Sequence, residues 1–555
     1  MHMRLSRRVV NPHLHARHAR RRCALAIAQP TAETHAHLVR PGEVTPGIAG
    51  AEYAARRAAM ASRLPRGSVA LFAPAPLAYM SHDVPYPFQQ APDLHYLCGF
   101  AEPSCLLACV KRGGGDGGRS SGSGVDAPDD AEWLLFVEPS DPAQALWDGP
   151  RAGIDGARRH ILPDGEVLKI GAAPTALLRI LDAMDASRGD TAIRPGLLFD
   201  VDRNPQLTAA LRPVLEWCKE RQLRVTRAAA HVQPLRLLKS DAEAALMARA
   251  ADATAEAFLE TMAASSAAAA RGGATEALLA ARFEYETRLR GCGRLAYPCV
   301  VASGVRACTL HYMHNNALLS PGELLLADAG NLGRPRATSG DLGQPRATSG
   351  RRPPSDGRGR LLRRVLRRHH PHVALVGHFH ARAERRLLGR AERERGLHRR
   401  SKGGRRHVDR VAAPPLPPAH ARGARAAGHS RRIARFTPVE SAVSHRPPRV
   451  GVLGPGEAHR VSRYYPHNIG HYLGLDVHDT PLASQSQPLL PGMALTVEPG
   501  LYFPPDDPQL PAWCRGIGVR IEDDIVIGSD GAARVLTTRA PKAVAEVEEA
   551  VRRGL

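Results

Sequence analysis

The sequence predicts an α/β domain followed by an α+β domain, the second interrupted by a segment that cannot build a core. Three observations predict this. Between residues 68 and 235, short apolar runs are separated by loops in the manner of buried strands. From Arg236 on, two helical stretches precede a series of strands, the order of an α+β domain. Between residues 331 and 454 both patterns give way to an Arg-rich composition. A chain of 555 residues is long enough for two ordinary domains.

Residues 1–39 contain Arg4, Arg7, Arg8, Arg17, Arg20, Arg21 and Arg22, with no acid before Glu33. This predicts an organelle transit peptide, mitochondrial ahead of chloroplast; the alternative is a disordered basic tail. The α/β domain is expected over 40–235. Pro41, Gly42, Pro46 and Gly47 mark an extended lead-in, and Glu52 to Arg57 opens a helix. Residues 68–73, 94–100 and 133–137 read as strands, with a loop at 83–90. Residues 113–130 are rich in Gly, Ser and Asp and read as a surface insertion. The Gly113-Gly114-Gly115 run is no phosphate loop, because no Lys-Ser/Thr follows at the required spacing.

The second domain is expected over 236–330 and 455–545. Ser240 with Glu243 three residues on is a capping box, starting a helix to about residue 264; a second helix is expected over 274–290. Strands are expected at 297–304, 310–312 and 323–328. Residues 492–498 and 518–527 read as adjacent strands that bring Glu498 and Glu522 to one site. Asp530-Gly531 is a tight turn, and a short helix from about residue 541 closes the chain.

Composition excludes several classes. Nine cysteines without a C-x-x-C pair suggest neither a disulfide framework nor a Cys-type zinc site, and point to a reducing compartment. No apolar run reaches the roughly 18 residues of a membrane span. A formal charge of +22 would suggest a nucleic-acid partner, but residues 331–450 alone carry about +23. The rest of the chain is close to neutral, so no nucleic-acid partner is expected.

The residues that carry chemistry are Asp328, at the end of the apolar run 324–327; His467, His471 and His478 in one short window; Glu498; and Glu522. Carboxylates with an imidazole suit Mn²⁺, Co²⁺, Fe²⁺ or Zn²⁺, and the lack of thiolates argues against a structural zinc knot.

Five motifs, in this order, resemble the pita-bread metallopeptidases of family M24, in the aminopeptidase P (Xaa-Pro aminopeptidase) branch. They are Leu310-His311-Tyr312 with Asn315-Asn316, Asp328-Ala329-Gly330, the His467/His471/His478 run, Glu498-Pro499-Gly500, and Gly516-Ile517-Gly518-Val519-Arg520-Ile521-Glu522-Asp523. The stretch from Leu38 to Arg57 resembles the start of the mitochondrial members, including the intermediate-cleaving peptidases; Trp147-Asp148-Gly149-Pro150-Arg151 and Gly153-Ile154-Asp155-Gly156-Ala157 resemble the branch's N-terminal domain. The resemblance implies a pita-bread fold for the second domain and two divalent metal ions, Mn²⁺ foremost. Asp328, His471, Glu498 and Glu522 would be metal ligands, with Glu522 bridging. His311, His467 and His478 would hold substrate and stabilise the oxyanion, and Arg520 would orient ligand carboxylates. The implied reaction is hydrolysis of the first peptide bond of a peptide or protein N-terminus, before proline or in imported proteins already trimmed of their presequence, by a water that two metals activate. A homodimer or tetramer is implied, with the N-terminal domain capping the neighbouring subunit's site.

The chain departs from that pattern once. The family's partner acid, 11 residues after Asp328, is replaced by Ser339, and Asp341 lies 13 residues on. A tandem repeat runs there instead, from Leu332 and again from Leu342. Residues 351–450 then hold many Arg, a single Lys (Lys402) and no Trp or Tyr. Out-of-frame translation of GC-rich DNA fits this composition. Other readings are a basic insertion for RNA or membrane, which would lack aromatic residues for stacking, and a degenerate catalytic domain with His369, His370, His372, His378 and His380 as metal donors. With one carboxylate ligand missing, the chain as written is expected to be impaired. The alternative function is a non-catalytic pita-bread protein that binds peptide or RNA; four persisting ligands favour the enzyme.

Overall fold

The computed structural model describes residues 29–112, 131–187, 195–332 and 461–554. The basic start, the Gly/Ser insertion, the tandem repeat with Ser339 and Asp341, and the Arg-rich segment with its histidines lie outside these residues. The described chain forms two compact units, one of residues 29–247 and 473–483, the other of 248–332, 461–472 and 484–554.

The first unit is built on a mixed six-stranded sheet. Helix α1 (Gly50–Arg63) leads into strand β1 (Ser68–Phe72), followed by helix α2 (Pro92–Cys98), β2 (Cys105–Lys111), β3 (Ala131–Val137), β4 (Glu166–Lys169), helix α3 (Ala173–Ala186), β5 (Gly196–Phe199), helix α4 (Arg212–Glu220), β6 (Val225–Thr226) and helix α5 (Ala229–Leu237). The strand order is β4-β3-β2-β1-β5-β6. β2 pairs antiparallel with both β1 and β3, and the remaining pairs are parallel. The pleat sends Val69, Leu71, Leu134 and Phe136 into a core with Leu177, Leu181 and Trp217 of α3 and α4. It sends Ala70, Phe72, Leu107 and Leu135 into another with Met60, Leu94 and Val232 of α1, α2 and α5. Both faces are covered, so these strands read as continuous apolar runs rather than alternating ones.

One expected strand is a helix. Residues 94–100 fall in and just after α2. Pro92 opens it, Asp93 complements its first turn, and Gly99 closes it at φ 70° with its N–H on the His95 carbonyl. Leu94, Leu97 and Cys98 are fully buried, a helical spacing that an apolar run of seven residues disguises. The strand next to β1 is instead β2.

The capping box forms as the sequence indicates. The Ser240 N–H donates to the Glu243 carboxylate (2.9 Å) and the Glu243 N–H to the Ser240 hydroxyl (3.1 Å). The helix it starts, α6 (Asp241–Arg271), runs past residue 264. Near it, the segment 473–483 is tied into the first unit by a buried charge cluster. Arg236 donates to Asp93 (2.5 Å) and to Asp479, while Lys239 donates to the other Asp479 oxygen (3.0 Å). The Arg236, Lys239 and Asp479 side chains are all 4 % exposed or less.

The second unit packs helices on antiparallel ribbons. Its elements are the latter part of α6, α7 (Glu276–Leu289), β7 (Val300–Ser303), β8 (Leu325–Asp328), β9 (Ala494–Val497), β10 (Gly500–Phe503), β11 (Ile517–Arg520), β12 (Asp523–Ile527), β13 (Ala533–Val535) and α8 (Val544–Arg552). Phe258, Met262, Leu279, Phe283, Val301, Leu325, Ala327 and Val551 form its core. β8 pairs with β7, placing Asp328 opposite Val300 at the ribbon's end. The turn at Asp530-Gly531 links β12 to β13, with Gly531 at φ 78°. Residues 310–312 are not a strand. They follow a 3₁₀ turn, Gly304–Cys308, and precede Asn315 at φ 47°, a geometry incompatible with a ladder.

Candidate metal centre

Two strands change ladder at the same level, and the carboxylates sit at that break. β9 pairs with β12 (Val497 opposite Asp523, Thr496 opposite Asp524), and β10 pairs with β11 (Gly500 opposite Arg520). The two registers are continuous, so Glu498 lies opposite Glu522. The ladder is interrupted at Pro499, which has no N–H to give, and Ile521 donates to the Pro499 carbonyl (3.0 Å). Thr496, Glu498, Glu522 and Asp524 therefore share one face, by the period of two. Like charges directly opposite each other weaken a sheet, so stability does not explain this arrangement.

The histidine segment lines up on the other side of β9. Thr496 N–H donates to the His471 carbonyl (2.9 Å) and Glu498 N–H to the Ile469 carbonyl (2.7 Å). The His471 N–H donates to the Thr496 hydroxyl (3.0 Å), which in turn donates to Glu498 (3.1 Å). This approach requires Gly470, since a Cβ there would land inside the van der Waals envelope of the Thr496 carbonyl oxygen. Gly518 is required likewise, against the Ala307 carbonyl of the 3₁₀ turn.

The side chains form one connected set. His471 Nε2 is 3.3 Å from a Glu498 oxygen, and its Nδ1 lies 3.1 Å from the Tyr472 carbonyl. Arg520 donates to Asp328 and to the Tyr502 hydroxyl (2.7 Å), and its Nε, which makes no hydrogen bond, lies 3.9 Å from Glu498. His467 Nε2 meets the same Tyr502 hydroxyl at 3.0 Å. The Tyr297 hydroxyl donates to Asp328.

Burial, then the charges of Asp328, Asp524 and Glu498, push the Glu522 carboxyl well above the ordinary range. Asp524 is pushed up to about 6, by burial first, with His471 opposing and neighbouring acids adding. Burial works to raise Glu498, but the His471 hydrogen bond and the Arg520 charge hold it below its usual value. Burial works to lower His471, yet its bonds to Glu498 and to the Tyr472 carbonyl raise it.

Four carboxylates thus share one guanidinium and one imidazole. The missing positive charge, and the oxygen and imidazole donors, fit a hard or borderline divalent cation. Among the described residues no three His, Cys, Asp or Glu side chains converge as a ready-made cage. Asp328 is engaged by Tyr297 and Arg520, and Glu498 by His471 and Thr496.

Of the residues singled out from sequence, Asp328, His471, Glu498, Glu522 and Arg520 come together, with His467 joined through Tyr502. His311 stands exposed in the turn after Gly304–Cys308. His478 lies exposed in the segment 473–483, which belongs to the first unit. Sequence reading missed Tyr297, Thr496, Tyr502 and Asp524. Asp524 was findable, because a strand carrying Glu522 inward carries residue 524 to the same face.

An acid-rich, imidazole-bearing centre on helix-covered antiparallel ribbons, in a chain that also carries a separate α/β unit, has the donor set of a metal-dependent hydrolase. Residues 53–186 match the aminopeptidase P N-terminal domain, and residues 245–334 and 434–529 match metallopeptidase family M24. The chain is 33 % identical over 537 residues to Xaa-Pro aminopeptidase 3 of Rattus norvegicus, spanning 94 % of this chain and 90 % of the relative. It is 28 % identical to the mitochondrial intermediate cleaving peptidase 55 of Arabidopsis thaliana, spanning 94 % and 87 %. Its fold is similar to that of Pseudomonas aeruginosa aminopeptidase PepP, with TM-score 0.62, 26 % identity and coverage of 91 % and 98 %. The chain belongs to the M24 metallopeptidases of the Xaa-Pro aminopeptidase group, with an aminopeptidase P N-terminal domain and a pita-bread domain. It is a hydrolase of a family that works with divalent metal ions.

Proposed function

We propose that this protein is an aminopeptidase that removes one N-terminal residue, either before proline or from proteins already trimmed of a presequence, using two divalent ions with Mn²⁺ foremost. The observation that carries the reading is the facing pair Glu498 and Glu522, completed by Asp328 and His471. Asp328, His471, Glu498 and Glu522 would hold the ions, which when bound polarise the scissile carbonyl and acidify the attacking water. Arg520 fixes the Asp328 carboxylate and, through the Tyr502 hydroxyl, the orientation of His467. His467, with His311, holds the substrate's first residues and stabilises the developing oxyanion.

Position 339 is Ser where the family carries an acid, so the second ion is held weakly and turnover is low. The same loss supports a second reading, a peptide-binding protein without turnover. The mitochondrial name of the Arabidopsis relative supports mitochondrial location. Leu146 and Trp147, each 83 % exposed, support a homo-oligomer. The test is release of the first residue from Xaa-Pro peptides by the purified full chain in Mn²⁺, with bound metal counted by mass spectrometry. One firmly bound ion with weak turnover is expected. Full turnover with two ions overturns the impairment, and peptide binding with no turnover in any metal favours the second reading.

A further inference from the structure

Outside the centre, Glu276, at the N-terminus of α7, is a carboxylate with no exposed surface and five hydrogen-bond donors. One oxygen accepts from the Ser303 N–H (2.7 Å), the Ser303 hydroxyl (2.7 Å) and Arg306 Nε (3.1 Å). The other accepts from the Tyr312 hydroxyl (2.8 Å) and the Ala317 N–H (3.0 Å). These donors span one excursion of the chain, from the end of β7 to the return at Ala317. The backbone closes the same ends: Glu276 N–H donates to the Ala317 carbonyl (2.9 Å) and Leu319 N–H to the Ala274 carbonyl (2.8 Å). Asn315 secures it from within, accepting from the Val301 N–H and donating to the Cys299 carbonyl, both at 2.8 Å.

A buried carboxylate with every acceptor site used is an expensive way to close a loop, because any lost donor leaves a buried charge short of partners. A stability role alone would be met by apolar packing. Here the hub grips four points of a stretch whose outer residues, Val305, His311 and Met313, face solvent. We propose that Glu276 is a positioning residue: its carboxylate sets the conformation of residues 303–317 and thereby the place of His311. The proposal rests on the reading that His311 meets the substrate. Glu276 touches no reacting atom and acts through Tyr312 and the backbone.

The test uses the full chain and Glu276→Gln, which keeps the shape but turns an NH₂ toward donors. Amide exchange at residues 304–317 should speed up at least tenfold while α7, β7 and β8 keep their protection. Affinity for Ala-Pro-Leu with a reduced first peptide bond, measured in Mn²⁺, should fall about tenfold, and His311→Ala/Glu276→Gln should bind no more weakly than His311→Ala. Tyr312→Phe, which removes a single donor, should give a smaller effect of the same kind and covers the case in which Glu276→Gln does not fold. Uniformly faster exchange across the unit, or additive losses in the double variant, overturns the proposal. If His311→Ala binds peptide like the parent, the role of His311 fails, and the exchange pattern still decides whether Glu276 sets the loop.

Discussion

Two clusters of buried charge show how differently the chain uses the same side chains. In the first unit, Arg236 and Lys239 face Asp479 and Asp93, and each charge meets a partner at hydrogen-bond distance. In the second, Asp328, Glu498, Glu522 and Asp524 gather around Arg520 and His471, and the acids are in excess. The first cluster pairs each cation with an acid without any ligand, and it ties residues 473–483 to α5 and α2. The second is self-repelling: the crowded acids raise Glu522 and Asp524. A polypeptide keeps such a centre for chemistry, against its own stability.

Substitutions should therefore move the two clusters in opposite directions. The largest effect is expected from Asp479→Ala, which leaves two cations buried without their shared partner. Urea unfolding should show a loss of about 3–5 kcal/mol, and a loss below 1 kcal/mol would mean water reaches the cluster. Next is Gly470→Ala, whose methyl must displace either the Thr496 carbonyl or the 469–472 segment. It should cost about 1–3 kcal/mol and weaken Mn²⁺ binding by calorimetry, whereas a change confined to stability would separate the strand from the centre.

Glu522→Gln should do the reverse of Asp479→Ala. With a chelator present it should raise stability by about 0.2–1 kcal/mol, because it removes a like charge opposite Glu498. The same variant should lose the rise in melting temperature that Mn²⁺ gives the parent chain. A variant destabilised in chelator would show that Glu522 is structurally compensated like Asp479.

The smallest effect concerns acid. Burial works to raise Glu276, but the Ser303, Ala317 and Tyr312 donors hold it below its usual value. A depressed native pKa makes its contribution full above the unfolded value of about 4.3 and erodes it as pH falls through the native pKa. Melting temperatures between pH 5 and 3 should fall less steeply in Glu276→Gln than in the parent. Parallel curves would remove Glu276 from the acid-labile set.

The α/β then α+β succession, the capping box at Ser240 and the strands that carry Glu498 and Glu522 were all legible in the sequence, because each rests on local patterning within single elements. A period of two also puts Asp524 on the same face as Glu522. Residues 94–100 read as a strand because an apolar run of that length fits strand or helix alike; the deciding signals, Pro92 and Gly99, are the N-terminal proline and left-handed cap of a helix. Residues 310–312 were misread because their geometry is imposed by Glu276, more than thirty residues earlier. Only tertiary structure could decide that Tyr502 links His467 to Arg520, that Asp479 answers to Arg236, and that Glu276 grips the His311 turn. Those choices depend on which distant groups share a desolvated space, where each buried donor and charge must find a partner that no local spacing encodes.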